Sequence, residues 1–176
     1  TRYSQLELDA LKSGKYPYLY PNVDWWGQTL RNNGASDIAT LSFRGGSTNM
    51  RYYTMLNLQN NSGFIANANK NSGYSTQEKY SKANFRTNLD VDLTSTTKLQ
   101  ANIMGLLNET SRPGNGSDNL INVLYMVPSA AFPIKTSDGL WGGNATWNGY
   151  YNPVALTQAR AYSKSHTRAL YADMLL

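Results

Sequence analysis

Cysteine is missing from these 176 residues, so neither a disulfide framework nor a thiolate metal centre is available. Histidine occurs once, as His166, with no serine, cysteine or carboxylate spaced around it in a recognisable pattern. A catalytic triad and a zinc site are therefore not expected, and no enzyme activity, catalytic residue, metal or other cofactor is assigned. No apolar run approaches the roughly 18 to 20 residues that a spanning helix needs. That excludes a helical membrane protein but leaves a barrel open, because barrel strands alternate and escape hydropathy scans. Charge is sparse at 15% of residues, and phenylalanine and tryptophan number four each against 13 tyrosines. A chain rich in Tyr, Asn, Ser and Thr and poor in Glu and Lys suits pleated surfaces with one wet face.

The net charge of +5 is thinly spread. Its only tight basic grouping runs from Lys79 to Arg86, with Tyr80, Asn84 and Phe85 interleaved. A nucleic-acid groove is one reading of it; a solvated strand face is preferred, and no nucleic-acid partner is assigned.

The chain opens with a short helix, since Ser4 and Glu7 form a capping box, Leu8 and Leu11 give apolar spacing, and Gly14 with Pro17 stops it. Residues 16–26, aromatic and proline-rich without a period, read as an ordered loop. Alternation begins near Thr40: Leu41 and Phe43 are apolar, Ser42 and Arg44 polar, and residues 45–49 supply a tight turn. From Met50 to Asn60, Tyr52, Thr54, Leu56 and Leu58 share one face, while Arg51, Asn57 and Gln59 lie on the other with Tyr53 and Met55. Residues 61–79 read as a long polar loop.

The clearest segment follows. Ala83, Phe85, Thr87, Leu89, Val91 and Leu93 alternate with Lys82, Asn84, Arg86, Asn88, Asp90 and Asp92, so every residue of the second set is polar. A turn over 94–97 leads to a fourth strand with Leu99, Ala101, Ile103, Gly105 and Leu107 on its apolar face. Residues 111–164 form a long excursion holding a helix over 119–127, capped by Ser117 or Asp118 and stopped by Pro128. A last strand starts near Thr167.

A soluble sandwich also alternates, so strand and loop lengths decide. Globular strands are mostly about five or six residues, whereas these patterns persist for roughly ten to thirteen, enough for a tilted strand to cross the hydrocarbon. Connections alternate short and long, as in outer-membrane barrels with short periplasmic turns and long outer loops. Lys82, Arg86, Asn88, Asp90 and Asp92 are then lumen-facing. Asp90 and Asp92, two apart, have the spacing to share a calcium ion, but a solvated pair on the lumen wall is the simpler reading. Trp25, Trp26, Trp141, Trp147, Tyr150 and Tyr151 are candidates for stacking on sugars or peptide side chains; the alternative is that they belong to an interfacial girdle or pack their own loops.

Several stretches resemble the SusC/RagA-like TonB-linked outer-membrane proteins of Bacteroidetes: Tyr20 to Trp26, Leu41 to Ser47, Arg51 to Tyr53 with Gly63 and Phe64, Asn84 to Thr94, Pro133 with Asp138 and Gly139, and Tyr151 to Ala155. The resemblance implies an all-β fold, part of a large antiparallel transmembrane β-barrel of about 22 strands, of which this would be about strands two to six, with short helices in extracellular loops. It divides the chain into an extracellular loop with a short helix (1–38), four barrel strands (39–111), a long extracellular loop (112–164) and the start of a further strand (165–176). Both ends are expected to be cuts in a longer polypeptide, with plug and final strands elsewhere. The function implied is active import of oligosaccharides or peptides across the bacterial outer membrane. Its partners would be a SusD-like surface lipoprotein, the TonB-ExbB-ExbD energy complex acting through the N-terminal region, the glycan or peptide substrate, and the lipid bilayer. Runner-up readings are a soluble carbohydrate-binding β-domain and a passive porin-like channel.

Overall fold

The computed structural model describes residues 3–70 and 73–176. Residues 71–72 of the expected 61–79 loop, and the first two of the opening segment, lie outside the described residues. The architecture is mostly antiparallel sheet with few, short helices, as an all-β fold requires. Two compact units are present: residues 1–33, 64–78 and 112–163 form the first, and 34–63, 79–111 and 164–176 the second.

The second unit is an open five-stranded sheet in sequential order: β1 (Ala35–Gly46), β2 (Met50–Ser62), β3 (Lys79–Asp92), β4 (Lys98–Pro113) and β5 (Tyr162–Leu175). Each strand has 12 to 16 residues, more than twice the globular norm of about five or six. Pairing of Gly46 with Arg51, Met50 with Val91, and Asp92 with Lys98 puts both short turns at one end. The first turn closes through Ser47 N–H to the Met50 carbonyl (2.7 Å), the second through Leu93 N–H to the Thr97 carbonyl (2.9 Å). The longer connections leave from the opposite end, where Ala35, Ser62, Lys79 and Ser111 lie in register.

Strand bounds outrun the alternation. β1 begins at Ala35, ahead of the alternation near Thr40, because Asp37 and Ile38 reverse the apolar pattern while the backbone ladder with β2 continues. β5 begins at Tyr162, not Thr167, since the alternating basic residues that open it hide its period. A ladder is held by N–H and C=O groups, and side-chain polarity does not end it.

The first unit contains the short helices. α1 (Gln5–Ser13) carries both halves of its capping box: Glu7 N–H donates to the Ser4 hydroxyl, and Ser4 N–H donates to the Glu7 carboxylate (2.7 Å). Gly14, at φ 63°, closes it in the left-handed region. The aromatic segment read as loop contains α2 (Trp25–Thr29), started by Asp24, whose carboxylate accepts from Gly27 N–H (3.0 Å). Five residues are too few to show a helical period.

α3 (Ser117–Met126) starts two residues before the expected 119. Neither Ser117 nor Asp118 caps it: Gly116 takes the cap position without a side-chain bond, and the Ser117 hydroxyl donates instead to Glu78 (3.0 Å). Its apolar stripe of Leu120, Val123 and Leu124, continued by Val127, is buried. α4 (Pro153–Gln158) was not evident from periodicity; proline at its first position and the Asn152 side chain accepting from Ala155 N–H (3.2 Å) start it.

These elements enclose one core. Trp25 lies on Phe132 with ring centroids 5.2 Å apart and donates its indole N–H to the Pro128 carbonyl (3.0 Å). Around it pack α3, Ile65, Val154 and Leu156. Asn152 is wholly buried. Its amide donates to the carbonyls of Ile134 (2.9 Å) and Gly142 (3.1 Å), tying the 134–142 loop to the start of α4. The segment before β3 is pinned by Gln77, which brackets the Ile65 backbone with a donor at 2.8 Å and an acceptor at 3.2 Å.

Candidate functional site

Register joins the strand patterns into two continuous surfaces. On one face the rows read Leu41, Leu56, Phe85, Gly105 and Ala39, Leu58, Ala83, Leu107, with Tyr52 beside Leu89 and Val91 beside Leu99. Thr54 and Thr87, the two threonines of the central row, face each other at 3.3 Å and satisfy one another. Glycine at 105 is required by a close approach, because any Cβ there would collide with the Phe85 ring. Tyr52 lies in the same way over Gly45.

The other face carries rows of Arg44, Tyr53, Asn88, Asn102 and of Gln59, Lys82, Asn108. Lys82, Arg86, Asn88, Asp90 and Asp92 share this face by strand parity. Arg86 donates to Asn88 (3.0 Å), Asn102 to Asp173 (3.4 Å), and Asn57 to Thr40 (2.8 Å). Asp92 pairs with Lys98 at 3.4 Å. Met55, Met104 and Leu106 interrupt the polar rows. The basic residues from 79 to 86 do not form one patch, since Lys79 falls on the opposite face from Lys82 and Arg86.

Leu41 and Phe43 are 54% and 58% exposed and Leu107 is 56% exposed. Among the described residues every buried hydrophobic side chain belongs to the first unit. The sheet thus holds a wide apolar surface that is solvent-exposed among the described residues, a feature that marks contact with a membrane or another protein.

At the end of the sheet from which the long connections leave, Glu109 accepts from Lys164 (2.7 Å) and lies 3.3 Å from His166 Nδ1. Sequence spacing gave no constellation around His166 because its partner sits on another strand, 57 residues earlier. The readable signal was the two-residue spacing of Lys164, His166 and Arg168.

The aromatic candidates divide. Trp25 is a core residue, 3% exposed and bonded through its indole to Pro128, which leaves little ring face for stacking on a substrate. Trp26 is exposed and meets Tyr125 edge-on at 5.2 Å, beside a groove of about 340 Å³ that reaches Asn22, Leu124 and Ser129. Trp141 packs on the core beneath Lys135, whose ammonium lies 4.9 Å from the ring. Trp147, Tyr151 and Tyr150 form an edge-on chain at 5.4 and 5.6 Å, with the Arg160 guanidinium 5.3 Å from Tyr150. Tyr150 is the most open of these three.

No family model matches the chain, and no solved structure does. One curated relative decides the comparison. The chain is similar to a TonB-dependent receptor. That protein, from Formosa agariphila, is 30% identical over 166 residues, covering 89% of this chain. The chain spans 15% of that relative's length, so the similarity is a partial and distant one.

Proposed function

We propose that this chain is a stretch of the wall of an outer-membrane β-barrel that imports large nutrients under TonB-coupled energy. The observation that carries the reading is the uncovered apolar face opposite a charged one, on strands of 12 to 16 residues. From the Ala83 row to the Val91 row the apolar face spans nine residues, about 27 Å along the strands and about 20 Å along the axis of a barrel with the usual strand tilt, most of the roughly 25 Å lipid-facing band. A face bearing Arg44, Lys82 and Arg86 cannot take that place, since a basic residue at the bilayer midplane costs about 2–4 kcal/mol. It lines the aqueous lumen in this reading.

In a bilayer the free edges of β1 and β5 need partners, because unpaired backbone groups have no water there; further strands on either side close the wall. The similarity to a TonB-dependent receptor supports the same direction. The earlier resemblance extends it to the SusC/RagA group, with a SusD-like lipoprotein over the long connections. Oligosaccharides or peptides would stack on exposed rings such as Trp26 and Tyr150. The reading involves transport without chemistry: no bond is made or broken.

Spin labels placed singly in the full-length protein, in native outer-membrane vesicles, test the assignment. Labels at Leu41, Leu56 and Phe85 are expected to collide with dissolved oxygen, and labels at Thr40, Asn57 and Asn88 with a water-soluble relaxant. Aqueous access at all six positions would overturn the barrel and favour the soluble carbohydrate-binding domain.

A further inference from the structure

The apolar face changes character where the long connections leave the sheet. A hollow of about 720 Å³ there is lined by Asn60, Ser81, Glu109, His166 and Arg168 over a floor including Ala83 and Leu107. Adjoining it toward the middle of the sheet is a groove of about 440 Å³, walled by Leu56, Phe85, Leu107 and Leu170 with Gly105 at its base. Arg168 lines both.

Two carboxylates line the hollow, Asp37 and Glu109, and Glu109 is already engaged by Lys164 and His166. Among the described residues Arg168 has no ion-pair partner. An exposed guanidinium therefore stands where an apolar groove meets a polar rim. Its planar fork matches a phosphate with two parallel N–H donors. Free phosphate would use the rim alone and leave the groove unfilled. An amphiphile with an anionic head fills both.

Resting on the membrane reading above, we propose that this junction binds a phosphorylated membrane lipid, with its headgroup phosphate on Arg168 and one acyl chain along the groove over Gly105. The depth dependence of charge on a barrel's lipid face agrees: a basic residue is tolerated near the interface and penalised at the midplane. Arg168 sits at the edge of the apolar rows, and its strand neighbour on the same face, Leu170, continues into them.

The test uses the full-length protein extracted from outer membranes in mild detergent, with co-purifying lipid measured by native mass spectrometry. The wild type should retain phosphorylated lipid against excess inorganic phosphate. Arg168→Gln should retain it at least about tenfold more weakly, the loss expected when the guanidinium's charge-assisted bonds to the phosphate are removed. Arg168→Lys should fall between, and Lys12→Gln, on α1, should match wild type. Membrane fractionation and heat-modifiable gel migration report separately on the barrel. If Arg168→Gln enters the membrane, migrates as a folded barrel and keeps lipid as wild type does, the lipid site is overturned and the transporter reading stands. Displacement by phosphate alone, or a polypeptide in place of lipid at Arg168, also overturns the site. A wild-type protein absent from membranes would instead defeat the underlying reading.

Discussion

The two units of this chain are stabilised by different means. In the first, Trp25, Phe132, Leu156 and the stripe of α3 are removed from solvent around one core, so burial of apolar area does the work. In the second, no hydrophobic side chain is buried among the described residues, and the apolar residues of four adjacent strands stand exposed in rows. An unaccompanied sheet of this kind is not a stable object in water. The contrast indicates that backbone pairing, not burial of a core of its own, holds the strands of the second unit together.

The sharpest way to break the comparison is to damage one unit and look for an effect on the other. Trp25→Ala removes the centre of the first unit's core and leaves the Pro128 carbonyl without its indole donor. It should destabilise that unit by about 3–5 kcal/mol, read as faster protease cleavage within 112–163. The strands should still reach the membrane. Loss of both together would show that the two units depend on one core.

A smaller effect is expected on the sheet. Leu56→Arg places a cation in the middle of the apolar rows and should weaken insertion by about 2–4 kcal/mol, seen as a lower denaturant midpoint in vesicles. Asn57→Arg, one residue along and on the opposite face, should be nearly neutral. A one-residue step reverses the face, so the pair sharpens the assignment without changing composition much. Equal effects would argue that both faces meet the same solvent.

Legibility in the sequence followed the same division. The strands from Leu41 to Leu107 could be read because apolar and polar residues alternate along them, with only Tyr53, Met55, Met104 and Leu106 breaking the polar rows. Where the apolar rows end the period ends too, and Asp37, Ile38, Lys164, His166 and Arg168 hid the true starts of β1 and β5 even though backbone pairing continues. The first unit was less readable. Its helices α2 and α4 have five and six residues, too short for a period, and are set by Asp24 and Asn152 acting as caps. Trp25 and Trp26 are adjacent and chemically alike, yet one is core and one is surface; only the tertiary path separates them. The Glu109, Lys164 and His166 cluster was hidden because it is assembled across strands.

The smallest effect concerns α1, which contributes no buried residue to the core and so depends on its own ends. Ser4 N–H and the Ser4 hydroxyl both donate to the Glu7 carboxylate. These bonds favour the ionised form and hold the Glu7 pKa below the ordinary glutamate value, the Ser4 backbone bond being the largest cause. A carboxylate with a lowered folded-state pKa adds stability that is fully present above its unfolded pKa and is lost as pH falls through the folded value. The helical signal of α1 should therefore be steady near neutral pH and decline only below the usual glutamate range, and Glu7→Gln should remove that acid dependence while leaving a weakened box. Because α1 stands apart from the core, the change should appear in amide exchange of residues 5–13 and leave Trp25 fluorescence unmoved. A matching acid transition at Trp25 would mean that α1 is coupled to the core after all.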